Sequence, residues 1–193
     1  MSIKEIWVDC ETGGTDVRHH PLLQISGEII IDGKSEEKFD IFMRNENQVL
    51  DNDALKVIGR TPIEIATWQS PHEAYAQFKR ILGRHVNQYD KSDKFHWFGY
   101  NPRFDMDFVR EWFLRQSDKY FGSYFWTPPI DVWMLAMYGQ MRQRADFKDA
   151  KLGTVAQWYG VDVTRFNAHN AQDDIAITQE LYKKVCEVLC IKH

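Results

Sequence analysis

Apolar and polar residues alternate along the first strand-like run, Ile3 to Thr12, placing Ile6, Val8 and Cys10 on one face and Trp7, Asp9 and Glu11 on the other. Gly13 and Gly14 end that run. A second strand over Leu22 to Ile31 turns at Asp32-Gly33, and a third over Lys38 to Met43 completes an antiparallel meander. The spacing then becomes helical. Asp53 to Ile58 and Pro62 to Trp68 read as short helices. Ser70-Pro71-His72-Glu73 is a capping box with proline at the first helical position, opening a helix toward Val86. Phe95 to Tyr100 reads as a short buried strand, and Pro102 to Arg115 as a helix with Phe104, Phe108, Val109 and Phe113 on one face. Asp118 to Pro129 is the least regular stretch. Helical periodicity returns over Asp131 to Arg142, Leu152 to Tyr159 and Ala171 to Leu189, with Gly160 stopping the middle one.

Strands gathered early, one later strand between helices and a helical C-terminal half predict an α/β fold, a central mixed β-sheet flanked by α-helices. The chain has 193 residues, 44% of them hydrophobic, enough for one well-buried core and short for two, so residues 1–193 read as a single domain.

The formal net charge of −4 supplies no global positive field to draw the protein onto nucleic acid, so any polymer it holds is gripped locally. Cys10, Cys186 and Cys190 form no metal-type CxxC pair and fit reduced thiols. No signal-peptide pattern opens the chain, and no apolar run is long enough to span a bilayer. The expectation is a cytoplasmic protein with no membrane partner. His19-His20 has no second ligand pair at zinc spacing and reads as a solvated loop.

Asp9 and Glu11 stand two apart on one strand, so both carboxylates leave the same sheet face, about 7 Å apart at the backbone. Crowded acids repel one another and raise their pKa values unless hard cations such as Mg²⁺ or Mn²⁺ neutralise them. Asp105 lies one turn into the helix that follows the buried strand. His169 and Asp174 frame the start of the last long helix, placing a group that titrates near neutrality beside a further acid. Each has a plainer reading alone. Asp9 and Glu11 suit solvated carboxylates at a turn, Asp105 an acid favoured by the helix dipole, and His169 a loop histidine or cap. Gly13 and Gly14 suit a tight turn, and Phe104 a core aromatic. Agreement of three separated segments, each bringing acids to a suitable element end, favours one shared site.

Those segments carry a resemblance. Trp7-Val8-Asp9-Cys10-Glu11-Thr12-Gly13-Gly14, Gly99-Tyr100-Asn101-Pro102-Arg103-Phe104-Asp105 and His169-Asn170-Ala171-Gln172-Asp173-Asp174 resemble the three motifs of the DnaQ-like 3′-to-5′ exonucleases of the DEDDh subclass. A histidine five residues before the last aspartate marks that subclass, and His169 stands there. Weaker similarity extends through Ala54 to Gly59, like a substrate-proximal helix, and through Lys151 to Ala156. Pro102 replaces a usual alanine, Thr15 a bulky apolar residue and Ile58 a frequent histidine; none of these is a metal ligand.

The resemblance implies a ribonuclease H-like fold and two divalent cations, Mg²⁺ or Mn²⁺, held by Asp9, Glu11, Asp105 and Asp174, with His169 as general base. It further implies hydrolysis of single-stranded DNA or RNA from 3′ ends to nucleoside 5′-monophosphates. Thr12, Gly13, Gly14, Thr15, Asn101 and Phe104 are the expected substrate contacts. A homodimer is compatible with the sequence, and a polymerase partner is not indicated by it. Two other readings use the same residues: a non-catalytic nucleic-acid-binding or polymerase-partner module, and a hydrolase of small nucleotide phosphoesters.

Overall fold

The computed structural model of the protein describes residues 2–143, 146–166 and 170–190. Strands β1 (Lys4–Thr12), β2 (Leu22–Ile31) and β3 (Lys34–Phe42) form the antiparallel meander. Helices α1 (Asn52–Ile58), α2 (Pro62–Ala66) and α3 (Pro71–His85) follow, then β4 (His96–Gly99) and α4 (Pro102–Arg115). The two-residue strand β5 (Ile130–Asp131) leads into α5 (Val132–Gln143), α6 (Leu152–Trp158) and α7 (Ala171–Leu189). The five-stranded sheet has the order β3-β2-β1-β4-β5, with β4 and β5 parallel to β1. This is the expected mixed sheet flanked by helices, an α/β fold.

Alternation in β1 serves two cores. Ile6, Val8 and Cys10 pack with Phe78, Phe108, Val109 and Phe113 of α3 and α4, while Trp7 packs with Phe98, Ile175, Leu181 and Val185 toward α7. Strand β3 begins four residues earlier than the sequence pattern suggests. Its first residues, Lys34 to Glu37, are polar and largely exposed, so no alternation announces them; pairing through the Asp32-Gly33 turn, where both residues have positive φ, supplies the strand. Asp131, where the sequence pattern predicts a helix to start, belongs to strand β5, and α2 stops at Ala66 rather than Trp68. The α3 capping box is present: Ser70 Oγ accepts from Glu73 N at 3.2 Å, and the Glu73 carboxylate accepts from Ser70 N at 2.9 Å.

Register places three rows across the face of the sheet that α7 covers: Trp7–Glu28–Lys38, Asp9–Ser26–Asp40 and Glu11–Gln24–Phe42. Between the last two residues of β1 the register shifts, leaving Leu23 as a bulge. Leu22 therefore stays in the main core, while Leu23 turns to a small cluster with Leu55 and Ile65, which seats α1 and α2 beside the end of β1.

On the opposite face, Gly27 lets the Phe39 ring cross the sheet. A Cβ there would come within 2.2 Å of Phe39 Cζ and 2.8 Å of the Trp7 carbonyl oxygen. Gly27→Ala is expected to destabilise the fold by about 1–3 kcal/mol, as overpacking does. Urea unfolding measures this, and a midpoint equal to the parent's would contradict the close approach.

Candidate active site

β1 outlasts its parallel neighbour. β4 pairs only with Glu5, Ile6 and Trp7, so the stretch beyond Val8 lies open on that side. Across the gap, the backbone N–H of Cys10 donates to Asp105 Oδ1 at 3.0 Å. Asp105 belongs to the first turn of α4 and is 5% exposed. The turn into α4 is made by Asn101 in the left-handed conformation, φ 55°. Its N–H donates to Asp131 Oδ1 at 3.1 Å, and the same oxygen accepts from Trp133 N at 2.9 Å, tying β4, β5 and α5 together at this edge.

Asp9 and Glu11 share the Trp7 face and meet the start of α7. Asn170 caps that helix by accepting from the backbone N–H groups of Gln172 and Asp173, and Asp174 sits in its first turn, where the helix dipole favours an acid. The four carboxylates act on one another. Burial and the charges of Asp105, Glu11 and Asp174 hold the Asp9 carboxyl well above the usual range. Burial and the Asp174 charge push Glu11 up to about 7, with Arg60 pulling it down. Burial, opposed by the Cys10 N–H, takes Asp105 to about 7. Cys10 itself is a buried thiol pushed up by burial and by these acids.

An all-oxygen set of mutually destabilised acids suits hard divalent cations. Among the described residues the carboxylates are neighbours rather than a finished coordination shell: no three His, Cys, Asp or Glu groups converge tightly enough to hold an ion as they stand. His169 lies outside the described residues.

The other expected site residues surround this cluster. Thr12, Gly13 and Gly14 are buried at the end of β1, and the Thr12 hydroxyl donates to the Gly14 carbonyl at 2.7 Å, so its hydrogen is engaged within the loop. A Cβ on Gly13 would meet Pro21 at 2.6 Å, and one on Gly14, whose φ is +154°, would meet the His20 ring at 2.5 Å. Both glycines thus serve the tight turn. Thr15 and Asn101 are exposed, and Phe104 is partly buried with its ring 4.9 Å from that of Phe108.

A cleft of about 210 Å³ opens beside Glu11, lined by Gln24, Asp40, Phe42, Arg60, Trp68 and Asn170 among others. The sequence pattern does not mark Gln24, Asp40 or Arg60 as site residues. Strand register and the Leu23 bulge bring them to Glu11, and no local motif marks them.

The acids make the stability of the metal-free protein depend on pH. A carboxyl whose folded pKa lies above its unfolded value keeps its proton in the folded state between the two. For Glu11 that window runs from 4.5 to about 7, and for Asp105 from 3.8 to about 7. Folding takes up protons there, so stability falls as pH rises through the window and bottoms out above it. With about 1.4 kcal/mol per pKa unit and about 2–4 °C per kcal/mol in a chain of this size, chelated protein is expected to melt lower at about pH 8 than at about pH 5, by on the order of ten degrees. Added Mn²⁺ should recover the loss chiefly at the higher pH. A melting temperature that rises across this window would show that burial and the neighbouring acids do not raise these carboxyls in the fold.

The family model described as an exonuclease matches residues 6–182. No curated protein sequence matches the chain. Among solved structures, the chain is similar to E. coli Exonuclease I in complex with a dT13 oligonucleotide, with a TM-score of 0.75 and 18% identity over 96% of this chain and 41% of that one. The zinc-bound form of the E. coli ExoI–ssDNA complex gives 0.75 and 19% over 97% and 41%. A product-bound exonuclease I structure gives 0.76 and 17% over 97% and 44%. The chain therefore spans about two fifths of the length of these proteins, and the likeness to them is one of fold. Among the described residues, no helix is long and apolar enough to cross a membrane.

Proposed function

The chain belongs to the DnaQ-like 3′-to-5′ exonuclease family, a family of hydrolytic enzymes, and from that premise we propose that it removes nucleoside 5′-monophosphates from the 3′ ends of single-stranded nucleic acid. The observation that carries this reading is the meeting of Asp9, Glu11, Asp105 and Asp174, from three distant segments, in one cluster of mutually repelling carboxylates. We read residues 1–193 as one exonuclease domain of the DEDDh subclass.

Asp9, Glu11, Asp105 and Asp174 are the residues that would hold two divalent cations, Mg²⁺ or Mn²⁺. When bound, such ions supply charge neutralisation at the attacking and leaving oxygens of the phosphodiester. His169 accepts a proton from the attacking water. Gly13, Gly14 and Thr15 lie against the terminal sugar, and Asn101 and Phe104 flank the strand beside Asp105; Thr12 contributes through the shape of its loop. Single-stranded DNA is the favoured substrate, because structurally similar exonucleases are solved with single-stranded oligonucleotides. A short groove gripped by a few side chains also agrees with a net charge of −4.

The test is incubation with 5′-labelled single-stranded DNA and RNA in Mg²⁺, Mn²⁺ or EDTA, with products resolved by length. A metal-dependent ladder shortening from the 3′ end is expected, and the two polymers rank the substrates. Failure to shorten either one would redirect the assignment toward a binding module or a hydrolase of small nucleotides.

A further inference from the structure

Helix α7 meets the sheet in two ways. Over β1 and β4 the contact is apolar, with Ile175, Ile177, Leu181 and Val185 sharing a cluster with Trp7 and Phe98. Over β2 and β3 there are two polar anchors. Gln172 Nε2 donates to the Phe39 carbonyl oxygen at 2.7 Å. Two turns further along the same helix face, Gln179 Nε2 donates to Glu28 Oε2 at 2.9 Å. Asp174 lies on the stretch between these anchors.

Glu28 is a costly residue in that place. It is 6% exposed in the middle of β2, opposite Trp7 in register. Its Oε1 accepts from Ser35 Oγ at 2.5 Å, and Lys38 Nζ lies 3.5 Å from Oε2. These partners outweigh burial and hold its carboxyl below the usual range. Replacing a buried ionic group together with its partners by apolar residues is often neutral or stabilising, so such a group is weak evidence for stability alone. A carboxylate supplies what an apolar side chain does not: a directional bond that fixes the rotation and depth of a helix.

We propose that Glu28 is a positioning residue for the carboxylate cluster: through Gln179, with Gln172 as the second anchor, it sets α7 so that Asp174 meets Asp9 and Glu11. This rests on the exonuclease reading above. Loss of the anchor leaves α7 packed on Trp7 and Phe98 but free to roll toward or away from β2. Asp174 then approaches the other acids less closely, and the cluster holds cations less well.

The experiment compares Glu28→Met, Gln179→Met and Glu28→Gln with the parent by melting temperature, calorimetric Mn²⁺ binding and the Mn²⁺ concentration giving half-maximal cleavage. Glu28→Met, which leaves Ser35 and Gln179 without their acceptor, is expected to melt somewhat lower but stay folded at the binding temperature, and to bind Mn²⁺ about 10- to 100-fold more weakly, the effect of removing an outer support of a metal site. Gln179→Met, which leaves Ser35 and Lys38 on Glu28, shifts the same way and carries the test if Glu28→Met does not fold. Glu28→Gln still accepts from Gln179 and stays close to the parent. Unchanged Mn²⁺ affinity in both methionine variants overturns the role, as does weakening seen only at temperatures where the variant begins to unfold, or weakening that Glu28→Gln shares in full. If the parent cleaves and binds Mn²⁺ while both variants match it, only the positioning role fails. If the parent itself neither binds Mn²⁺ nor cleaves, the exonuclease reading fails and takes this proposal with it.

Discussion

Asp9→Asn is expected to cut metal-dependent cleavage by about a thousandfold or more, since several kcal/mol of transition-state charge stabilisation are at stake and about 1.36 kcal/mol is tenfold in rate. Asp9 is the acid that interacts with all three others, so its charge is central to holding cations in the cluster. The same substitution acts in the opposite direction on stability. In chelator near pH 8, removing one buried charge from a repelling group raises the melting temperature. Single-turnover cleavage in Mn²⁺ and a thermal melt in EDTA read the two effects. A fully active variant would remove Asp9 from the chemistry, and a chelated variant that melts lower than the parent would mean its charge is structural.

His169→Ala is the second large effect. A positioned general base contributes about 10²- to 10⁴-fold, so the turnover rate should fall by that order while Mn²⁺ binding stays unchanged. The pH–rate profile of the parent should rise through the ordinary imidazole range, about 6.5, and that limb should be missing from the variant. Full turnover in His169→Ala, or the same limb persisting, would transfer the proton-accepting role to another group. Asp9→Asn and His169→Ala thus separate holding the cations from moving the proton.

Much of this was legible in the sequence because the signals are local. The bounds of α4 follow from a proline at its first position, and those of α7 from the helical periodicity of Ala171 to Leu189. The alternation of β1 announces a strand, and the spacing of Asp9 and Glu11 puts both acids on one face; that both faces are covered shows only in the structure. What stayed hidden depends on partners far away in the chain. β5 is a strand only because Phe98 and Gly99 pair with it. The polar start of β3 is an edge ordered by its turn. Gln24 and Asp40 join the site through cross-strand register, and the Gln179–Glu28 bond links residues 151 positions apart. Thr12 carries the opposite lesson: its type and place in the motif suggest a donor for substrate, yet its hydroxyl closes the loop on Gly14.

The order of the four acids along the chain has a consequence for the cell that makes it. Asp9, Glu11 and Asp105 are all in place once α4 has formed, but Asp174 arrives only with α7. Because chains emerge from the N-terminus onward, a partly made molecule carries an incomplete cluster. The four carboxylates therefore meet only after α7 has emerged, so any hydrolysis proposed for the cluster waits on that helix.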